Sequence, residues 1–487
     1  MKRCVILCLI LLLLSGCAAE PSADPAVSTI PQTAASDTSP ATEAAPTLDS
    51  LSDLTADTAL FYTESDFKAR AGTLRSLEEL RAAPEEALLP RTHIYDERFP
   101  GDGAILLRLL DYCLANGYVG FSVPEGTAPL PVGEQFTLLE FMYRIDGGKV
   151  NAMTKDGVTT VWYKCRADRS DTMEKFSEGL AAARRIAAEA PRGDAWETVS
   201  WIFYYLGDHV SYGDRDTYYL YHGYHLHDAL VEGSCVCSGY SDAMYYLCNL
   251  CGVECLSVWG LATSDLIPGG IDGHAWNCAR INDLWYCFDP TGFAVSPRTV
   301  YPLFFGIPSF ALNIIGGHRL TGDYDNNALI PACESCFDPV TVWNGTPEGA
   351  LKSWLWYAAQ AENFPENLLL CSGLGNADTE YVPLDAGSAA TDLPYEAFRA
   401  WTLRFMSEDC AARFLPAIFW QTEAGGLGFR HPARSDLDLR SLIVDSVTEN
   451  ADGSWTADLG AASAVFSVSK NTDGFYRIET ITLSPKS

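Results

Sequence analysis

Residues 273–292 read GHAWNCARINDLWYCFDPTG. Apolar and polar residues alternate on both sides of Asn282-Asp283, the pattern of two strands joined by a tight turn. Pairing Ile281 with Leu284 sets the register, because successive side chains on a strand point to opposite faces. Trp276 then lies opposite Asp289, and His274 is a diagonal neighbour of Asp289 on the same face. A slip of one residue would send each of these side chains to the other side of the sheet. The hairpin thus sets a histidine beside an aspartate, a base with an orienting carboxylate but no nucleophile. The same register sets Cys278 opposite Cys287, as a packed thiol pair or a cross-strand disulfide.

A nucleophile is available upstream, in VEGSCVCSGYSDAMYYL at residues 231–247. Gly239 is expected to break the chain, with a helix over SDAMYYLCNLCGV that carries Ala243, Tyr246, Leu247 and Leu250 on one face and stops at Gly252. Cys237 then stands at or just before a helix N-terminus, where unpaired N–H groups and the positive end of the dipole favour a thiolate. Cys235, two residues earlier in an extended segment, lacks that help. Position selects Cys237.

Three motifs follow one another in order: C-x-G-Y-x-x-A (Cys237, Gly239, Tyr240, Ala243), H-A-W-N (His274, Ala275, Trp276, Asn277) and W-Y-x-x-D-P-T (Trp285, Tyr286, Asp289, Pro290, Thr291). This order resembles the transglutaminase-like superfamily, which is built on a papain-like core, and the likeness extends over roughly residues 195–310, including the HDALVEG segment before the cysteine. The resemblance implies a triad of Cys237, His274 and Asp289. Cys237 would attack a protein or peptide amide, cell-wall peptide included, and release ammonia or an amine to leave a thioester. Transfer to an amine would crosslink, and transfer to water would make a peptidase or amidohydrolase. The Cys237 backbone N–H would serve as one oxyanion donor. No cofactor is called for. The competing expectation is a non-catalytic surface protein that uses the same domain to bind peptide or cell wall.

The chain opens MKRCVILCLILLLLSGC. A short basic head and an apolar run too short to span a bilayer have the layout of a secretory signal. LSGC resembles the bacterial lipoprotein signal, which makes Cys17 the expected lipidation site and places the protein at the cell membrane, extracytoplasmic side, held by the lipid anchor only. Residues 18–50 contain no Lys or Arg and are rich in Pro, Ser, Thr and Ala, the composition of a disordered tether. A net charge of −30 argues against nucleic acid as a partner.

The remaining pattern is α+β and multi-domain. Residues 51–168 read as an N-terminal α+β domain, with a helix over 101–116 and strands QFTLLEFMYRI and VTTVWYKC joined through DGGK. Residues 169–315 form the central transglutaminase-like domain, opening with helices over 171–190 and 195–210. Residues 316–346 read as a Gly/Asn/Pro-rich linker or loop region, and 347–487 as a C-terminal α+β domain with an antiparallel sheet, whose strands LRSLIVDSV, SWTADLG, SAVFSVSK and FYRIETITL turn at NADG and NTDG. The aromatic WIFYYLGDHVSYG and DTYYLYHGYHLHD read as core and groove wall rather than a carbohydrate platform. Two C-x-x-C spacings, Cys248/Cys251 and Cys333/Cys336, are expected to be core packing and an incidental loop pair. Zinc would require them to converge across more than eighty residues.

Overall fold

A computed structural model describes residues 172–486, apart from 214–225, 265–269, 293–303, 321–329, 432–436 and a few shorter gaps, together with four strands between residues 75 and 164. The signal segment with Cys17, the tether 18–50, the expected helix 101–116, the strand QFTLLEFMYRI and most of DTYYLYHGYHLHD lie outside the described residues. Among the described residues no helix is long and apolar enough to cross a membrane.

The four early strands, β1 (Arg75–Ser76), β2 (Gly120–Pro124), β3 (Lys149–Lys155) and β4 (Val158–Lys164), form one sheet in the order β1-β2-β4-β3. VTTVWYK is a strand as expected, but its hairpin partner is Lys149–Lys155, which begins at the last residue of DGGK, so the connection lies beyond Lys155. Gly157 takes a positive φ of 75°, which glycine adopts without steric cost.

Two helices follow, α1 (Thr172–Glu189) and α2 (Ala195–His209). Asp194 caps α2 by accepting from the N–H groups of Trp196 and Glu197 at 2.7 and 3.1 Å. Short parallel strands β5 (Ser211–Tyr212) and β6 (Ser234–Cys235) flank a single π-helical turn at Asp228–Glu232. The next helix, α3, spans Cys237–Leu250 and so runs through Gly239. The expected break does not occur. A helical glycine costs only about 1 kcal/mol, whereas α3 buries every residue from Cys237 to Asn249, including Tyr240, Tyr245, Tyr246 and Leu247. Each large apolar side chain contributes roughly 1.5–3 kcal/mol on burial, so packing overrides propensity. Gly252, at a φ of 83°, ends the helix where expected.

Four antiparallel strands come next, in the order β10-β9-β8-β7: β7 (Cys255–Ser264), β8 (Gly270–Ile281), β9 (Leu284–Phe288) and β10 (Phe305–Ile307). The β8–β9 register is the one the sequence dictates, with Ile281 opposite Leu284 and Cys278 opposite Cys287. Asn282 and Asp283 both take positive φ, 51° and 65°, the signature of the type I′ turn whose twist matches a hairpin. One sheet face, with Ala279, Ile281, Tyr286 and Phe288, joins α1, α2 and α3 in a core that includes Phe203 and Tyr240. The other face, with Val258, Trp276, Cys278 and Cys287, packs with Ala311 and Leu312 of α4 (Ser309–Gly316) and with Cys333.

The C-terminal part has its own core. Helix α6 (Pro347–Asn363), preceded by the short α5 (Pro339–Trp343), is buried almost throughout from Gly349 to Ala361. Phe398, Phe405, Leu415 and Phe419 surround it. Two four-stranded sheets rather than one complete this part, one from residues 381–430 and one from 446–485. The second holds the expected strand run, although its first strand begins at Ser446, because Leu439–Ser441 turns as a 3-10 helix that buries Leu439 and Leu442. The mixed α+β character read from the sequence is the observed one.

Candidate active site

Helix α3 and the β8–β9 hairpin meet through buried polar contacts that fix one against the other. Asn277, fully buried on β8, donates from Nδ2 to the carbonyl oxygens of Ser241 on α3 (2.9 Å) and Leu256 on β7 (3.2 Å). Ser241 Oγ donates to the Trp276 carbonyl at 2.8 Å and bonds Ser257 Oγ at 2.7 Å. Removing one such partner leaves a buried group unsatisfied, at about 1–3 kcal/mol. These contacts lock the helix that begins with Cys237 to the strand that carries His274.

Cys237 is the first residue of α3, after the extended N-cap Val236. It packs against Val236 and Ala275, with Tyr212 and Trp259 alongside, and is 7% exposed. The N–H groups of Gly239 and Tyr240 donate to the Val236 carbonyl at 2.9 and 3.2 Å. The donors of the first turn not committed there are those of Cys237 and Ser238, and both are at the positive end of the helix. Cys235 is buried one residue before the N-cap, where desolvation, aided by Asp228 and Cys237, pushes its thiol well up. Burial thus argues against Cys235 as the nucleophile more strongly than position alone.

His274 Nε2 lies 2.8 Å from Asp289 Oδ2, as the register requires. This leaves Nδ1 as the nitrogen available to a thiol. Burial, the largest single influence, lowers the imidazole pKa, but the charges and hydrogen bonds of Asp289 and Cys237 together outweigh it, and the net shift is well upward. Burial acts oppositely on Asp289, raising it, but His274 and His318 together hold the carboxyl well below the usual carboxylate range. A buried, ionised Asp289 and a readily protonated His274 are the two halves of one pair.

One residue of this group was not foreseen. His318, from the stretch expected as linker, places Nε2 at 2.9 Å from the same Asp289 oxygen, while the other carboxylate oxygen accepts the Thr291 N–H at 3.0 Å. The ring stands edge-on to those of Trp276 and His274, at centroid distances of 5.3 and 4.9 Å. Arg319 and Leu261 exchange two backbone hydrogen bonds of 2.9 Å, which fasten this segment to β7. Asn313 Nδ2 donates to the His318 carbonyl at 2.7 Å.

His274, Asp289 and His318 also have the composition of a metal-ligand set, within 4.8 Å of one another. A tetrahedral ion at ~2.0–2.1 Å from each ligand would hold them roughly 3.3 Å apart. The 2.8 and 2.9 Å contacts to one oxygen are hydrogen-bond lengths instead.

Residues 181–290 match the family model of the transglutaminase-like superfamily. The chain therefore carries a transglutaminase-like domain, and Cys237, His274 and Asp289 all fall inside it. His318 falls outside. No curated protein matches the chain. Among solved structures, one from Cytophaga hutchinsonii, provisionally named a cysteine protease, is similar at 19% identity and a TM-score of 0.19, over 23% of this chain and 37% of that one. A structure described as a TGase is similar at 13% identity and a TM-score of 0.22, over 44% of this chain and 56% of that one. A Parabacteroides distasonis protein, provisionally named a protease, is similar at 14% identity and a TM-score of 0.15, over 34% and 39%. The chain thus spans less than two thirds of the length of each.

Proposed function

We propose that the central domain is a thiol enzyme acting on protein or peptide amides, with Cys237 as nucleophile, His274 as base and Asp289 as the residue that orients the imidazole. The observation that carries this reading is the 2.8 Å contact between His274 and a buried, doubly anchored carboxylate, with Cys237 at a helix start beside that ring. Cys237 Sγ attacks the amide carbonyl carbon and passes its proton to His274 Nδ1. The N–H groups of Cys237 and Ser238 face the developing oxyanion. His274 then returns the proton to the leaving nitrogen, the C–N bond breaks, and a thioester remains. An amine or a water attacks that thioester, giving a crosslink or a hydrolysed product from one triad. Tyr212 and Trp259 beside Cys237 supply apolar wall for the substrate chain. The LSGC string at residues 14–17 supports placing this activity on the extracytoplasmic face, held by an acyl group on Cys17.

The test is iodoacetamide labelling of the reduced full-length chain between about pH 5 and 9, with mass spectrometry to locate the adduct. Cys237 is expected to label first, and about tenfold or more slowly at neutral pH once His274→Ala removes the base. If Cys237 labels no faster than Cys235 and the substitution changes nothing, the domain is a binding module and not an enzyme.

A further inference from the structure

Further along the same face of the hairpin, three thiols from separate segments converge. Cys278 and Cys287 stand opposite each other on β8 and β9 with their Sγ atoms 4.0 Å apart. Cys333 completes the group, and all three sulfurs lie within 4.8 Å of one another. None is more than 2% exposed. Ser309, at the start of α4, sets Oγ 3.5 Å from Cys287 Sγ, and its N–H donates to the Cys333 carbonyl at 2.8 Å, which holds the third thiol in place.

We propose that Cys278, Cys287 and Cys333 form a three-thiolate site for a thiophilic d10 cation such as Zn2+. An ion at ~2.3 Å from each sulfur sets neighbouring sulfurs about 3.8–4.0 Å apart, and Cys278 and Cys287 already have that separation. A disulfide would need the two sulfurs at about 2.05 Å and would leave the arrival of a third thiol without a reason. Apolar packing accounts for buried cysteines in general. Cys251 and Cys336 each face one carbonyl, those of Ala187 and Leu370, as Cys333 faces that of Pro331 at 3.7 Å, but Cys333 in addition meets two other sulfurs. Cys336 is therefore turned away although it shares a C-x-x-C spacing with Cys333, so the fourth position falls to Ser309 Oγ or stays open. Zinc held by three protein ligands takes a non-protein ligand such as water in the fourth position. Binding displaces the thiol protons to solvent.

The site is independent of the proposed reaction, since Cys237 belongs to neither its ligands nor their supports. The experiment titrates Zn2+ into the reduced, chelator-treated full-length chain, with native mass spectrometry for stoichiometry and a chromophoric chelator for affinity. One equivalent is expected. Cys278→Ser, Cys287→Ser or Cys333→Ser should each weaken it by at least about a hundredfold, while Cys336→Ser and Cys237→Ala leave it unchanged. Absence of stoichiometric binding when all thiols titrate as reduced overturns the site, as does binding that survives Cys333→Ser. A Cys278–Cys287 disulfide in protein isolated without reductant overturns it in favour of redox chemistry. If a serine variant fails to fold by circular dichroism, Co2+ bound to the unsubstituted chain decides. Sulfur-to-cobalt charge transfer of three-thiolate intensity supports the site, and that of one thiolate or none refutes it.

Discussion

His318 is a positioning residue in this arrangement, and replacing it separates that role from packing. His318→Phe keeps an aromatic ring against Trp276 and His274 but deletes the donor to Asp289 Oδ2, a contact of 2.9 Å made by a buried side chain. A hydrogen bond to a charged acceptor is worth about 1.5–3 kcal/mol. Asp289 retains His274 at 2.8 Å and the Thr291 N–H at 3.0 Å, so it stays anchored but less strongly held as an anion. The loss falls on stability and on the imidazolium that Asp289 supports. At about 1.36 kcal/mol per decade, complete transmission to the Cys237–His274 pair would slow thiol labelling by one to two decades. With two of three anchors intact, about tenfold at neutral pH is the expected value. His318→Gln, whose amide nitrogen reaches about as far as Nε2, should recover most of it. The assay is the pH dependence of Cys237 alkylation for the three proteins, with urea midpoints measured in parallel. If the Phe variant alkylates like wild type at every pH, or Gln and Phe behave alike, His318 is a packing ring and the positioning argument fails.

Three further outcomes follow from the same geometry. A Cβ at Gly260 would lie 2.3 Å from the Arg319 carbonyl oxygen and 2.6 Å from the Trp276 ring. Gly260→Ala should therefore open the Leu261–Arg319 bridge, cost about 1–3 kcal/mol in urea denaturation, and depress alkylation as His318→Phe does. Gly273→Ala, whose Cβ meets only the Trp259 ring at 3.4 Å, is the control, and equal losses in both would refute the bridge's role. The pH dependence of stability has a definite sign. Asp289 is held low, so its contribution is complete above the ordinary value near ~3.9 and is lost as pH falls below it. His274 is held high, so its contribution is complete below ~6.5 and is lost as pH rises through the folded value. The urea midpoint should thus be highest between about pH 4 and 6.5, and Asp289→Asn should flatten both limbs. Parallel wild-type and variant curves would show that the pair carries no linkage. Finally, Asn277→Leu should cost about 1–3 kcal/mol by removing the two buried hydrogen bonds to the Ser241 and Leu256 carbonyls, and a variant as stable as wild type would show that α3 is held to the hairpin by apolar packing alone.

What the sequence revealed, and what it hid, divides by how far apart in the chain the cause of each feature lies. The hairpin was legible because its register, its turn and the side of the sheet on which His274 and Asp289 meet are all decided within twenty residues. Cys237 was legible for the same reason, although Gly239 misled: a local propensity of ~1 kcal/mol was weighed without the burial of the helix around it. His318 and Cys333 were not legible, because each reaches the hairpin through a chain reversal that no periodicity announces. One signal did exist. A backbone crossing as close as that of residues 317–319 over β7 leaves no room for side chains on either partner, and glycine stands on both. A Cβ at Gly260 would meet the Arg319 carbonyl, and one at Gly317, already at a φ of 66°, would meet Thr263 Oγ1 at 2.2 Å. The pair Gly316-Gly317 before His318 therefore reads as the contact surface of a docked segment and not as slack in a linker. It brings a second histidine to the carboxylate that the hairpin alone supplies with one.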